Sequence, residues 1–267
     1  MVTMRTSNKI WHQLSSSNYL TALLVLNFAV FVVVNVFIHL FRLDLVPYLA
    51  MPLNEFELIY KPWTLITYMF LHIDFFHLLF NVLLLYFTGT LFQSILGEKR
   101  LLYLYIMSGL SGALILIVSK LIYPAFSGSY LMGASAAVMG IIAAQAVYTP
   151  NFTVHLFFVL QLPFKYFAII TFIISTLIDF SFNTGGKITH IGGALFGLIY
   201  AYALKNGVDI KSLSLFKTKQ QTSIFTKRQF KDEDEYLDYL LDKISTKGYH
   251  SLTKQEKEDL FKISQKK

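Results

Sequence analysis

The sequence predicts an all-α membrane protein, a bundle of six transmembrane helices followed by a small helical tail, and three observations carry that reading. Of 267 residues, 55% are hydrophobic and 15% are charged, whereas soluble domains carry about 25% charged residues. The apolar residues gather into six runs near the roughly 20-residue length that a helix needs to cross a bilayer core. The charges lie mostly outside those runs, and one soluble core could not hide so many long apolar segments.

The first run, about 20–41, is too long for a signal-peptide core and has no small-residue cleavage site after it, so it reads as a retained span. Its Asn27 and Asn35 read as helix-contact residues. The second and third runs, about 75–96 and 101–122, are long and strongly apolar. The fourth and sixth, about 134–149 and 188–204, are short and rich in small residues, which places them inside the bundle. The fifth is about 165–181; before it, residues 150–164 are apolar but bracketed by Pro150 and Pro163, so they read as a loop-like or interfacial connection.

Orientation follows from lysine and arginine, which favour the cytoplasmic side. Residues 1–18 carry Arg5 and Lys9 without an acid, and Lys99 and Arg100 sit in the turn after the second run. Lys205, Lys211, Lys217, Lys219, Lys227, Arg228 and Lys231 follow the last run against Asp209 alone. The connection 42–65 instead sets Arg42 and Lys61 against Asp44, Glu55 and Glu57. Both termini are therefore expected in the cytoplasm. The net charge of +7 would suit a nucleic acid, but its concentration at the ends fits membrane flanks, so no nucleic-acid partner is expected. The absence of cysteine removes disulfides and thiolate metal sites, and neither a metal nor a cofactor is expected.

Four segments result: a cytoplasmic stretch 1–19, the six-span bundle 20–206, a basic linker 207–231 and a small cytoplasmic tail 232–267. In the tail, Leu237, Leu240, Leu241 and Ile244 share a helical face, Gly248 is a plausible stop, and Thr253 to Glu256 reads as a capping box opening a second helix.

Polar groups inside spans are costly and point to function. His77 and Asn81, four apart on the second span, can donate hydrogen bonds to an oxygen gaining negative charge, or can equally serve as a structural polar pair. Ser135 follows Gly133 and Ala134 at the start of a helix, where unpaired backbone N–H groups suit an oxyanion and Gly133 would allow close approach of a substrate backbone. A serine in a small-residue helix is also an ordinary packing residue. His190 precedes Gly193 and Gly197, and Ala136, Gly140 and Ala143 form a matching small face on the fourth span. Close contact of those faces would bring His190 to Ser135 as a base. On the topology above, His77, Ser135 and His190 all lie near the outer ends of their spans. His72 points to another face and reads as structural. Asp74 and Asp179 could each belong to a loop, and a Ser–His dyad is the more economical arrangement.

The order His72-xxxx-His77-xxx-Asn81, Gly133-Ala134-Ser135-Ala136 and His190-xx-Gly193-xxx-Gly197 resembles the rhomboid family of intramembrane serine proteases. Trp63, Gly89, Gly97 and the Gly97-Glu98-Lys99-Arg100 turn add to the resemblance, which covers roughly residues 58–205. It implies a rhomboid-like bundle with a water-filled cavity open to the outside, and cleavage of peptide bonds in or near transmembrane segments of other membrane proteins. By resemblance Ser135 is the nucleophile and His190 the base. His77, Asn81 and the Ser135 N–H would form the oxyanion site, with Gly133 beside it. Residues 165–187 would act as a lateral gate, and a bacterial inner membrane is implied. Ala136, Met139, Thr64 and Gln93 depart from the common pattern without removing a catalytic group; the extra methyl of Ala136 is expected to enter a tight contact, and Met139 to loosen packing around His190. A catalytically silent relative that binds membrane helices and a small transporter are the rival readings. Silent relatives typically lose the serine or the histidine, and the sequence has no inverted repeat of the transporter kind. The partners implied are transmembrane substrates and the lipid bilayer; the sequence leaves the oligomeric state open.

Overall fold

The computed structural model describes residues 18–123, 130–156, 160–178, 184–208, 233–247, 252 and 254–264. The chain divides into two units, Met1–Ser214 and Leu215–Lys267.

In the first unit α1 (Tyr19–Phe41) opens on Asn18, whose side chain accepts the Thr21 N–H. The connection that follows is folded rather than open. It holds α2 (Val46–Leu49), β1 (Met51–Pro52), α3 (Glu55–Tyr60), α4 (Thr64–Thr67) and a 3-10 turn, Tyr68–Phe70. The Asn54 side chain caps α3, and Trp63 Nε1 donates to the Tyr48 carbonyl at 2.8 Å. Two long helices follow, α5 (Phe75–Leu96) and α6 (Glu98–Ile122), separated by a turn at Gly97. Glu98 accepts the Tyr19 N–H at 3.3 Å, so the start of α1 lies beside that turn.

The remaining elements are β2 (Tyr130–Leu131), α7 (Ser135–Tyr148), β3 (Thr153–Leu156), β4 (Leu160–Pro163), α8 (Phe164–Ile173) with a π-helical extension Ile174–Ile178, and α9 (Thr184–Lys205). Two short ribbons thus interrupt the expected all-α bundle. β1 pairs antiparallel with β2, which ties the first connection to the segment just before Ser135. β3 and β4 pair antiparallel between the two prolines, so residues 150–164, expected to be loop-like, contain a hairpin. Proline is tolerated at strand ends, and Phe164 N–H donates to the Phe152 carbonyl at 2.8 Å to close the ribbon onto α8.

α7 lies against α5, α6, α8 and α9. The core includes Tyr68, Met69, Leu85, Phe92, Leu104, Tyr105, Ile141, Phe164 and Tyr200. Asn27 is a helix contact, as expected: its Nδ2 donates to Tyr105 Oη at 3.2 Å, and that hydroxyl donates to the Met69 carbonyl at 3.0 Å. Asn35 is part-buried on the same helix. Its amide donates to Phe31 O of its own helix, because a backbone carbonyl one turn back is always within reach of a short amide.

The outside of this unit is apolar. Val25, Phe28, Val33, Phe80, Leu83, Leu114, Ile169 and Leu198 are all exposed, and so much exposed hydrocarbon marks a membrane protein. Among the described residues three helices are long and apolar enough to cross a membrane: Tyr19–Phe41, Phe75–Leu96 and Glu98–Ile122. Ser135–Tyr148 and Phe164–Leu177 are apolar but shorter.

In the second unit α10 (Glu233–Lys247) and α11 (Lys254–Ser264) close on Tyr236, Leu240, Leu252 and Ile263. Leu237 and Ile244 pack against that core, but Leu241 is 49% exposed. Tyr236, about 140° round the helix from Leu241, is buried, so the inward face is shifted toward Tyr236 and Leu240 and leaves Leu241 outside it. Lys243 and Glu256 form an ion pair at 2.5 Å. Gly248 and Thr253 lie outside the described residues.

Candidate active site

The three candidate catalytic and oxyanion residues Ser135, His77 and His190 are each held in the first two turns of a helix. Ser135 is the first residue of α7, His77 the third of α5 and His190 the seventh of α9. Ser135 Oγ and His190 Nε2 are 2.8 Å apart, and both residues are half-buried.

Small residues make that contact possible. A Cβ on Gly193 would collide with the Ala136 carbonyl oxygen, and one on Gly197 with that of Gly140. The backbones of α7 and α9 therefore touch over a full turn, which only glycine permits there. The methyl of Ala136, expected to crowd this contact, instead faces α6: a Cβ on Gly112 would lie 2.9 Å from Ala136 Cβ and 2.8 Å from the Thr189 carbonyl oxygen. Ser111 Oγ donates to the Gly192 carbonyl at 3.0 Å. α6 is a third small surface that the sequence analysis missed, although Ser108-Gly109-Leu110-Ser111-Gly112 spells it out.

The segment entering α7 is fixed from two sides. Gly133 has φ +114°, and a Cβ there would lie 2.6 Å from Cε1 and 2.8 Å from Nε2 of His77. The close approach that glycine was expected to give a substrate backbone is made by the His77 ring. Gly133 N–H donates to the Tyr68 carbonyl at 2.9 Å, a support with no signal in the sequence beyond an aromatic residue in a loop. Ala134 N–H donates to Nε2 of the fully buried His72 at 3.2 Å. His72 and His77 meet edge to face, 5.0 Å between ring centres. Burial, with the neighbouring His77 second, pushes the His72 pKa down to about 4. A neutral ring whose Nε2 accepts a hydrogen bond carries its proton on Nδ1. His72 thus ties the approach to α5 directly to Ser135's strand of backbone.

With Ala134 N–H engaged and Val138 N–H bonded to the Ala134 carbonyl, the first-turn N–H groups of Ser135, Ala136 and Ala137 have no partner within their own helix. Asn81, one turn after His77 and largely buried, donates one amide hydrogen to the His77 carbonyl at 2.9 Å and has a second to give.

The two candidate acids differ. Asp74 is the cap of α5, accepting the His77 N–H at 2.7 Å. Asp179 lies outside the described residues. Met139, one turn after Ser135, is buried, with Ser175 Oγ of the π-helical segment 3.8 Å from its sulfur. Among the described residues no cluster of three or more metal-ligating side chains forms.

The arrangement joins a hydroxyl and an imidazole at a helix start whose first-turn N–H groups point outward, with the His77 ring beside Gly133, which is suited to acyl transfer. A family model described as Rhomboid domain matches residues 60–207. A second, described as a family of unknown function (DUF6576), matches residues 226–266. Rhomboid protease AarA of Providencia stuartii is 30% identical over 151 residues, 51% of this chain and 53% of that protein. RHOMBOID-like protein 12, mitochondrial, of Arabidopsis thaliana is 29% identical over 216 residues, 74% of this chain and 62% of that protein. The chain therefore spans between half and two thirds of the length of these curated relatives.

Proposed function

This chain belongs to the rhomboid family, and from that premise we propose that it is an intramembrane serine endopeptidase that cuts other membrane proteins in or near their transmembrane segments. The observation that carries the proposal is the 2.8 Å separation of Ser135 Oγ and His190 Nε2 on two different helices. A serine whose only task was packing would not need an imidazole nitrogen at hydrogen-bond distance.

With its proton on Nδ1, His190 accepts the Ser135 hydroxyl hydrogen at Nε2. As Oγ attacks the scissile carbonyl carbon, that proton passes to Nε2 and the carbonyl oxygen becomes an oxyanion. The Ser135 N–H, the second amide hydrogen of Asn81 and the His77 ring are the donors for that charge. Collapse breaks the C–N bond, and Nε2–H protonates the departing amine to leave an acyl ester on Ser135. A water, deprotonated by the neutral His190, then attacks the ester, and the proton returns to Oγ as the acid leaves. Gly133, Gly193, Gly197 and His72 position these groups without touching the substrate.

The finer topology belongs to the same reading. α7, α8 with its π extension, and α9 complete six spans beside α1, α5 and α6, and residues 20–206 form the catalytic domain. Residues 1–19, the basic linker 207–231 and the tail 232–267 lie in the cytoplasm, most simply of a bacterial inner membrane. Lysine and arginine placement supports that orientation. α7, with 14 residues, reaches only about 21 Å, and its start at Ser135 therefore lies below the outer boundary, where irregular backbone beside a wet cavity is tolerated.

The test is labelling of the purified full chain with a fluorophosphonate probe. Wild type is expected to label on Ser135, and His190→Ala to lose labelling with its fold intact. A silent, helix-binding relative would leave wild type unlabelled, and that result would overturn the proposal.

A further inference from the structure

A trough of about 330 Å³ runs between α7, α8 and α9, a volume within the roughly 300–1,000 Å³ range of ligand sites. Its floor is made of Ala143, Ala146, Ala168 and Ala194, and Ile169 and Leu198 stand at its sides. Small residues on three neighbouring helices leave a channel that no side chain fills. One end abuts Met139; at the other lie Val147 and Lys165.

That second end is cationic. Lys165 Nζ donates to Asn151 Oδ1 at 3.2 Å and sits 5.2 Å from the Tyr166 ring. Lys205 Nζ reaches the Val147 carbonyl at 3.3 Å. Neither ammonium group has a carboxylate partner among the described residues. The trough itself is lined by carbon, so water in it would lack the two or more polar partners it needs. A slot of hydrocarbon shape ending beneath two ammonium groups that have no carboxylate among the described residues is complementary to one class of molecule.

We propose that this trough binds an anionic phospholipid, with one acyl chain lying between α7, α8 and α9 and the phosphate held by Lys165 and Lys205. A transmembrane helix is the other conceivable occupant. A helix would cover the apolar floor, but it carries no phosphate to place beside Lys165 and Lys205, and the cationic end therefore favours the lipid. The lysines lie at the ends of α8 and α9 that the charge pattern assigns to the cytoplasmic leaflet, where anionic lipids concentrate. The assignment does not depend on Ser135 being a nucleophile.

Native mass spectrometry of the full chain, stripped of lipid in detergent and titrated with phosphatidylglycerol or with phosphatidylcholine of the same chain lengths, tests it. Each lysine near a phosphate contributes roughly fivefold in affinity. Wild type should therefore prefer phosphatidylglycerol by about tenfold or more, and K165Q/K205Q should lose that preference. Ala146→Phe, which blocks the floor, should weaken both lipids together. Because that variant crowds the bundle, a phosphatidylglycerol carrying a diazirine near its chain end is crosslinked to wild type in parallel, with label expected on the α7 and α9 residues of the trough. Equal binding of the two lipids by wild type, undiminished binding to Ala146→Phe, or crosslinks confined to other surfaces would each overturn the proposal. So would displacement of the lipid by a transmembrane substrate peptide that itself crosslinks at Ile169.

Discussion

The His77 ring lies over the α-carbon of Gly133 so closely that a methyl group there would fall 2.6 Å from its Cε1. This contact links the start of α5 to the backbone turn that presents Ser135. Gly133 is also held at φ +114°, a conformation that side-chain-bearing residues rarely adopt.

Gly133→Ala should therefore do two things together: strain the turn, at a cost of about 1–3 kcal/mol, and push His77 away. Turnover is expected to fall by at least tenfold while the helical content seen by circular dichroism stays. Wild-type turnover in Gly133→Ala would show that neither the turn nor the His77 position matters for the reaction.

The roles proposed for Ser135, His190 and Asn81 predict an order of damage. Removing either member of a nucleophile–base pair costs roughly 10⁴-fold or more in rate, whereas one oxyanion donor among several costs about 10²–10³-fold. Ser135→Ala and His190→Ala should both abolish cleavage of a model transmembrane substrate, and Ser135→Ala/His190→Ala should be no worse than either. Asn81→Ala should retain slow, measurable turnover. If Asn81→Ala proves as inactive as Ser135→Ala, the amide must do more than share the oxyanion.

Gly193 and Gly197 set the distance between α7 and α9, so their effect on Ser135 is indirect. In Gly193→Ala the new methyl meets the Ala136 carbonyl, and overpacking of this kind costs about 1–3 kcal/mol. A lower Tm is expected, together with a fall in kcat larger than any change in KM, because the helices separate where the hydroxyl must touch the imidazole. Unchanged Tm and kcat would mean that the helices pack less tightly in the membrane than they do here.

Some of this architecture was open to inspection in the sequence. α5 could be read from its strong apolar run ending near Gly97, whereas the cap at Asp74 could not, because an aspartate before a span fits a loop equally well. The meeting of Ser135 with His190 was legible too, since matching small faces on two apolar runs leave few other ways to pack. Other features depended on partners far along the chain. Nothing local in Tyr68 announces that its carbonyl receives the Gly133 N–H. The ribbon of β1 with β2 joins residues separated by four α-helices, α3 to α6. The π-helical turn at Ile174–Ile178 continues the apolar run of α8 with only Ser175 and Thr176 interposed, a pattern that an α-helix would carry equally well. The hairpin at 153–163 was hidden because prolines that end a strand look like prolines that prevent one.

His72 gives the site a predictable response to acid. Its Nε2 accepts the Ala134 N–H, which only the neutral ring can do, and burial lowers its pKa to about 4 from an ordinary value of 6.5. A histidine with a folded pKa below its unfolded one favours the folded state only while it is neutral. Its contribution is whole above about pH 6.5, declines as pH falls below that value, and is gone below about pH 4, when the ring is protonated in both states. Tm of the wild-type protein should fall across that interval. His72→Gln keeps an acceptor for Ala134 without a titrating group, so its Tm should fall less steeply over the same range, and at pH 8 its turnover should stay within about tenfold of wild type. His72→Ala leaves the Ala134 N–H buried without a partner, at a cost of about 1–3 kcal/mol, and should lose more Tm than His72→Gln at every pH. Parallel acid profiles for wild type and His72→Gln would place the titrating group elsewhere and reduce His72 to a packing residue.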